Sequence, residues 1–261
     1  MFGFNKQDIR LAFNLFKMNV RDRYLGSSLG SFWAIANPFF MLALYTFVFG
    51  FVFKVRIPGA ETTLGYVIWL IIGYGPWMAT VEAIMASTTS VVGAAGVVKN
   101  MAFKTELLPI SASFVGIISL GVSLFFLLVL MTFAGNVPDW HIVWLPLIIM
   151  LQFFLILSIG LWLSAINVFV RDLSIALPNM LTIIMFLTPI FYPMESMPAA
   201  VQKLSFANPF FLIADAYRAS LERHQSPSSI GLICLFFLSL MLFISGLAAF
   251  RRAKGFFDSA L

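Results

Sequence analysis

From Leu107 to Phe133 the chain reads LLPISASFVGIISLGVSLFFLLVLMTF, without one charged residue. A helix crosses the hydrocarbon of a bilayer with about 20 apolar residues, so a run of this length constrains the fold more than any motif. The same criterion places further spans at Phe32–Phe53, with Pro38 near its start, Leu64–Met85, Ile142–Val170, Ile175–Tyr192 and Ile230–Phe250. The expected fold is an all-α integral membrane protein with six transmembrane helices. Composition points the same way: 61% of residues are hydrophobic and 10% charged, against roughly 25% charged in soluble domains. Five basic residues precede Phe32, and the apolar run that follows is too long for the core of a secretory signal peptide. The single Cys234 offers neither a disulfide nor a metal site.

Six spans put both ends of the chain on one side. With that side cytoplasmic, Lys6, Arg10, Lys17, Arg21, Arg23, Lys99, Lys104, Arg171, Arg251, Arg252 and Lys254 face inward, and Lys54, Arg56, Lys203, Arg218 and Arg223 face outward. The excess of inward Lys and Arg favours this orientation. The chain then divides into a leading segment 1–31, spans one to five at 32–192, an outer segment 193–228, a last span at 230–250 and a tail at 251–261, all within a single transmembrane domain.

Two segments depart from plain spans. In the first, Ile9, Phe13, Phe16, Val20 and Tyr24 recur at helical spacing beside Arg10, Lys17 and Arg21. Such a helix lies in the plane of the membrane, apolar face in the acyl boundary and basic residues at the phosphates. A second strip, Leu11, Leu15 and Met18, is suited to packing on protein; a solvated leader is the alternative. In the second segment, Pro198 and Pro209 stand where helices can begin, predicting short helices at 198–206 and 209–223. These are either a re-entrant pair shielded by protein or an ordinary outer loop. At the cytoplasmic face, a helix from about Val97 to Glu106 with Lys99 and Lys104 alongside suits docking into a partner's groove, an irregular loop being the alternative. Arg171-Asp172 ends the fourth span at the same face, simple punctuation of the helix by a local ion pair being the alternative to a functional role.

The chemistry of catalysis is scarce. Gly93-Ala-Ala-Gly96-Val-Val-Lys99 lacks the spacing of a nucleotide phosphate loop, and no His, Cys or carboxylate cluster has metal-ligand spacing. His141 and His224 read as isolated loop residues. Of the 11 acidic residues only Glu82 falls within a span, near its expected cytoplasmic end. Among the 30 Phe, 6 Tyr and 6 Trp, a subset facing a channel could stack on sugar rings.

Four segments in order, RYLGSSLGSFWAIANPFFMLALYTFVFGFVFK, NVFVRDL, TPIFYPMESMPAAVQKLSFANPFFLIADAYRASL and FRRAKGFFDSAL, resemble the membrane subunits of bacterial polysaccharide ABC exporters, which move O-antigen, capsule and teichoic acid chains. The resemblance covers essentially the whole chain. It implies a channel-forming permease in the inner membrane, built from two copies of this chain and two separate ATP-binding-cassette subunits. ATP and Mg would bind on those subunits, no cofactor or catalytic residue on this one, and no nucleic acid is involved. The cargo would be a polysaccharide linked to a polyprenyl diphosphate, with membrane lipids around it.

By the same resemblance the leading helix is an interface helix, and Arg10, Lys17, Arg21 and Arg23 would meet the lipid pyrophosphate, for which the Arg fork is suited. Attraction to anionic lipid explains the same charges. The patch from Gly26 to Gly30 would turn the in-plane helix into a crossing one. ATPase coupling falls on Val98, Lys99, Asn100, Met101, Phe103 and Lys104, with Arg171 and Asp172 at the same face. Many relatives carry Pro after the Phe where this chain has Lys104, so these contacts do not carry over one for one. The periplasmic gate falls on Tyr192, Pro198, Phe206, Pro209, Phe210 and Phe211. Competing readings are the permease of a lipid or drug exporter, a secondary carrier, for which Pro178 and Pro189 are the only hint, and a membrane transferase, for which no base or acidic site is found.

Overall fold

The computed structural model describes residues 5–22, 29–30, 32–53, 62–100, 103–199, 202 and 205–261. These are helical, with no strand among them. Five helical stretches are long and apolar enough to cross a membrane: Phe32–Val52, Thr63–Gly93, Leu107–Phe133, Trp140–Phe169 and Ser229–Phe256. The helices are α1 (Lys6–Asp22), α2 (Phe32–Tyr45), α3 (Thr63–Gly93), α4 (Ala95–Asn100), α5 (Leu107–Ala112), α6 (Ile117–Phe133), α7 (Leu145–Phe169), α8 (Asp172–Leu187), α9 (Pro209–Leu221) and α10 (Ser229–Ala253).

The bundle is organised around α3. Its sequence is apolar on every side, the pattern of a helix surrounded by others, and Tyr66 through Trp77 are buried without interruption. Thr62 caps its start, Oγ1 accepting from Gly65 N at 3.1 Å. α3 packs against α5, α6, α7, α8 and α9, while α7 and α10 form a second extensive pair. At 31 residues it is about 46 Å long, eight residues beyond the expected end at Met85. That extension moves Glu82 away from the helix end, to eleven residues before Gly93.

The third span is broken. Turns at 113–116 separate α5 from α6, held by i→i+3 bonds such as Val115 N to Ala112 O at 3.1 Å. The break sits where Gly116 meets α3 backbone: a Cβ there would lie 2.1 Å from Ala79 O. The first span widens into a π-helix at Thr46–Val52, where Phe53 N reaches back five residues to Val48 O at 2.9 Å.

The fifth apolar stretch, expected to be helical from 175 to 192, leaves the helix at Leu187. The physical reason is Arg218 of α9. Its Nη1 and Nη2 donate to the carbonyls of Pro189 and Ile190, both at 2.8 Å, and Tyr66 OH donates to Phe191 O at 3.0 Å. Non-helical backbone inside a membrane must find such partners within the protein. Mid-bundle, Gln152 of α7 donates to Pro76 O at 2.9 Å and Thr80 Oγ1 at 3.1 Å, and accepts from Tyr217 OH at 2.7 Å. One amide thereby joins α3, α7 and α9.

Candidate functional site

Three regions carry the polar chemistry. The first is an open groove of about 540 Å³ between α2 and α8, floored by α3. Tyr45, Tyr74, Trp77 and Phe186 supply its rings, Met41, Met78, Met85 and Met185 its flexible apolar lining, and Asn37, Glu82, Ser119 and Thr182 its polar groups. Glu82 accepts a hydrogen bond from Ser119 Oγ of α6. Tyr74, Met78 and Glu82 follow one another at four-residue spacing, hence on one stripe of α3. Trp77 touches Phe210 at the start of α9, centroids 5.2 Å apart and edge-on, which links the groove to that helix.

The second region gathers at one end of the bundle. Residues 103–106 are fastened between α1 and the end of α10: Lys104 Nζ lies 2.5 Å from Asp8 Oδ2, Arg251 Nε 3.1 Å from Glu106 Oε1, and Lys254 Nζ donates to Phe103 O at 3.0 Å. Glu106 is only 4% exposed, so Arg251 satisfies a charge that would otherwise be stranded. The hydrogen bonds from Lys104 and from Asn5 N hold the Asp8 carboxyl below its ordinary value. Beneath lies a second apolar core of Val91, Leu108, Leu161, Val168, Leu247, Phe250 and Phe257, with Leu15, Val98 and Phe103 packed against it.

The third region is the opposite end. Arg218 is buried in α9, its guanidinium 3.7 Å from the Trp69 ring centroid. The approach requires a glycine on α3, since a Cβ at Gly73 would stand 2.6 Å from Arg218 Nη2. Asn208 caps α9 through Oδ1, which accepts from Phe210 N at 3.0 Å, and donates to Thr188 Oγ1 at 2.8 Å. The N-terminus of α9 is thus tied to the end of α8. His141 and His224 share one carboxylate: Asp139 lies 2.7 Å from His141 Nδ1 and 3.4 Å from His224 Nδ1.

Several expectations are corrected by these positions. The helix anticipated over 97–106 is instead α4, at 95–100, followed by the irregular segment 103–106, because Asp8, Arg251 and Lys254 draw that segment into side-chain and backbone contacts. Lys104, named among the coupling residues, also pairs with Asp8. Arg171 does not close a pair with Asp172 but donates toward the carbonyls of Ala260 and Leu261 at 3.5 and 3.3 Å. Arg218, counted as an outer surface charge, is buried, and the two histidines are not isolated.

Of the basic residues on the leading helix, Arg10, Lys17 and Arg21 are exposed, Lys17 lying 4.6 Å over the Phe13 ring. Leu11 and Leu15 are half-buried, but Met18 is exposed, whereas Phe16 and Val20 of the opposite strip are half-buried. The pattern is set by packing on α5, with Asn19 Nδ2 3.4 Å from Ser111 Oγ. Lys99 is exposed. Arg23, Met101, the Asn100 side chain and the 26–28 stretch lie outside the described residues, as do parts of the helix expected at 198–206. At the end of the bundle that carries Arg218, Tyr192 OH donates to Phe186 O, Pro198 and Phe206 are exposed, Phe211 is buried, and Pro209 opens α9.

The groove and its polar residues, together with Gln152, Glu106, Arg251 and Asp8, were not singled out from the sequence as site residues, apart from Glu82. The signal for the groove was present as periodicity, in Tyr74 and Glu82 on one stripe, but α2 and α8 could not be placed beside it. Among the described residues no group of His, Cys, Asp and Glu is arranged to hold a metal ion.

Comparison with known proteins agrees along the chain. The description "ABC-2 type transporter" matches residues 10–221. An O-antigen export system permease protein RfbA of Myxococcus xanthus is 26% identical over 253 residues, covering 96% of this chain and 95% of that protein. A protein of the same name from Klebsiella pneumoniae is 25% identical over 237 residues, covering 90% and 89%. A multi-pass helical bundle with an open groove on one face, matched over most of its length, therefore belongs to the ABC-2 type transporter family.

Proposed function

We propose that this chain is the channel-forming permease subunit of an ATP-driven exporter that moves a lipid-linked polysaccharide, of O-antigen or capsule type, across the inner membrane. The observation that carries this reading is the end-to-end similarity to permeases named for O-antigen export. The groove supports it, since aromatic faces interspersed with hydroxyl, amide and carboxylate groups suit sugar rings. ATP hydrolysis takes place on a separate subunit, present in two copies beside two copies of this chain.

Six crossings are supported by two arguments. α1 and the end of α10 meet at residues 103–106 through Asp8–Lys104 and Arg251–Glu106, so the chain begins and finishes on one side and its crossings are even in number. α8 is 16 residues long, about 24 Å, and the non-helical turns after Leu187 add to its reach. The abundance of Lys and Arg at the shared end supports a cytoplasmic placement. α1, with Ile9 and Phe13 exposed, lies in the plane of the membrane with its basic residues at the headgroups.

Re-entry of α9 has its own support. Phe210, at its start, meets Trp77, fourteen residues and about 21 Å along α3 from Thr63, whereas His224 beyond its end reaches Asn136 Oδ1 at 3.3 Å in the α6–α7 loop. The segment enters and leaves on the same side as a gate over the groove. The exposed α4 and residues 103–106 receive the ATPase stroke.

The test is a pull-down of the tagged protein in mild detergent. A near-equimolar ATPase co-purifies if the reading holds, and cells lacking the gene accumulate lipid-linked glycan inside. A homo-oligomer without an ATPase would overturn it.

A further inference from the structure

One end of the groove runs into a cluster of aromatic rings. The lining extends from Asn37 to Tyr45 on α2, from Met85 back to Tyr74 on α3 and from Pro178 to Phe186 on α8. The last residue of each wall, Tyr45, Tyr74 and Phe186, rests against a single ring, that of Phe191, at centroid distances of 4.9, 5.6 and 5.9 Å. Phe49 of the π-helix stacks on the same ring at 4.8 Å, the planes 12° apart. These are the separations of favourable aromatic pairs, and Phe191 is 1% exposed. A polar chain leaving the groove at this end must part these rings.

Phe191 stands there because its backbone is held off the helical path. α8 ends at Leu187, and the residues that follow are fastened from two helices. Arg218 of α9 donates to the Pro189 and Ile190 carbonyls, both at 2.8 Å, and Asn208 at the start of α9 donates to Thr188 Oγ1 at 2.8 Å. Tyr66 of α3 donates to the Phe191 carbonyl at 3.0 Å. The planar guanidinium fork suits two neighbouring acceptors, and its face lies over Trp69. Its buried Nε meets no acceptor among the described residues; an unsatisfied donor raises the energy of this closed arrangement and leaves room for another.

We propose that Phe191 is the stopper of the translocation groove and that Arg218 is the positioning residue that keeps it seated. This deepens the export reading above and rests on it. The segment 188–191 is tied to α9 through Thr188, Pro189 and Ile190, so a displacement of α9 from α3 draws Phe191 out of the ring cluster and opens the path. Without the guanidinium the segment loses its hold at Pro189 and Ile190, and the ring leaves its seat even while the transporter idles.

The test keeps the transporter, complete with its ATPase, in ATP-depleted cells, with Cys234→Ser and with Met78→Cys as a reporter inside the groove. An impermeant thiol reagent is added outside. Met78→Cys is expected to be protected, and Phe191→Ala to raise its labelling rate at least fivefold, because a sheltered thiol reacts only as often as its path opens. Arg218→Lys raises it at least threefold. Where either variant does not reach the membrane, Phe191→Leu or Tyr66→Phe takes its place, with a rise of at least twofold. Leu155→Cys, fully buried on α7 and not part of the groove lining, stays protected throughout, whereas a general loosening of the bundle would expose it too. Rapid labelling of Met78→Cys with Phe191 in place, an unchanged rate in the variants, or an equal rise at Leu155→Cys overturns the inference. Labelling of Gln225→Cys only after lysis overturns the orientation in the export reading instead, and the same comparison is then made with reagent added to inside-out vesicles.

Discussion

Arg218 shows how much one side chain can hold. It spans two carbonyls released by the end of α8, covers Trp69 and occupies the space left by Gly73. A lysine has a point charge and no planar fork, so Arg218→Lys is expected to lower stability by about 3 kcal/mol, as does breaking a buried charged contact. Thermal unfolding in detergent checks this, and a wild-type midpoint would refute it. Gly116 makes a sharper comparison. Gly116→Ala must drive α3 and α6 apart, since the obstacle is Ala79 backbone, and should cost about 2 kcal/mol or more. Gly121→Ala, where nothing lies within 4 Å of the new Cβ, should be neutral or gain up to about 1 kcal/mol from helix propensity. Equal effects from the two alanines would remove close packing as the reason for the break.

Between helices, the end where α1 meets α10 depends on charges brought together from distant parts of the chain. Arg251→Gln leaves Glu106 buried beside a neutral partner and is expected to cost about 2 kcal/mol. In the assembled exporter it should also lower glycan export per ATP hydrolysed, because residues 103–106 lose one of their fastenings. Unchanged coupling would show that the segment takes no part in transmission. The Asp8–Lys104 contact has a defined pH response. Folding lowers the Asp8 pKa below that of an ordinary aspartate, so its stabilisation is fully present above the ordinary value and is lost as pH falls through the lower, folded one. Protease cleavage near α1 should therefore be constant from about pH 8 to 5 and rise only below about pH 4. A change centred near neutrality would point to a different group.

For the bundle as a whole, the proposed topology counts α8 as a crossing despite its length, which thiol labelling tests. In a Cys234→Ser background, an impermeant thiol reagent should label Gln225→Cys in intact cells and Gly255→Cys only after lysis. The opposite pattern would invert the orientation, and labelling of both from outside would remove α8 as a crossing.

The apolar runs, the leading helix and the short helix beginning at Pro209 were all legible in the sequence, because hydrophobic length and helical period are local properties of the chain. The order of four segments was enough to point to the family. What the chain alone could not reveal were events between helices: the capture of the Pro189 and Ile190 carbonyls by Arg218, which ends α8 early, and the Gly116 contact at the interruption after α5. The pairing of Lys104 with Asp8 and the convergence of Tyr74, Glu82, Ser119 and Thr182 on one groove were equally hidden. In a segment that is apolar on every side, periodicity no longer tells which face meets which neighbour. Those choices rest on close packing and on partners for buried polar groups, and only the tertiary structure makes them.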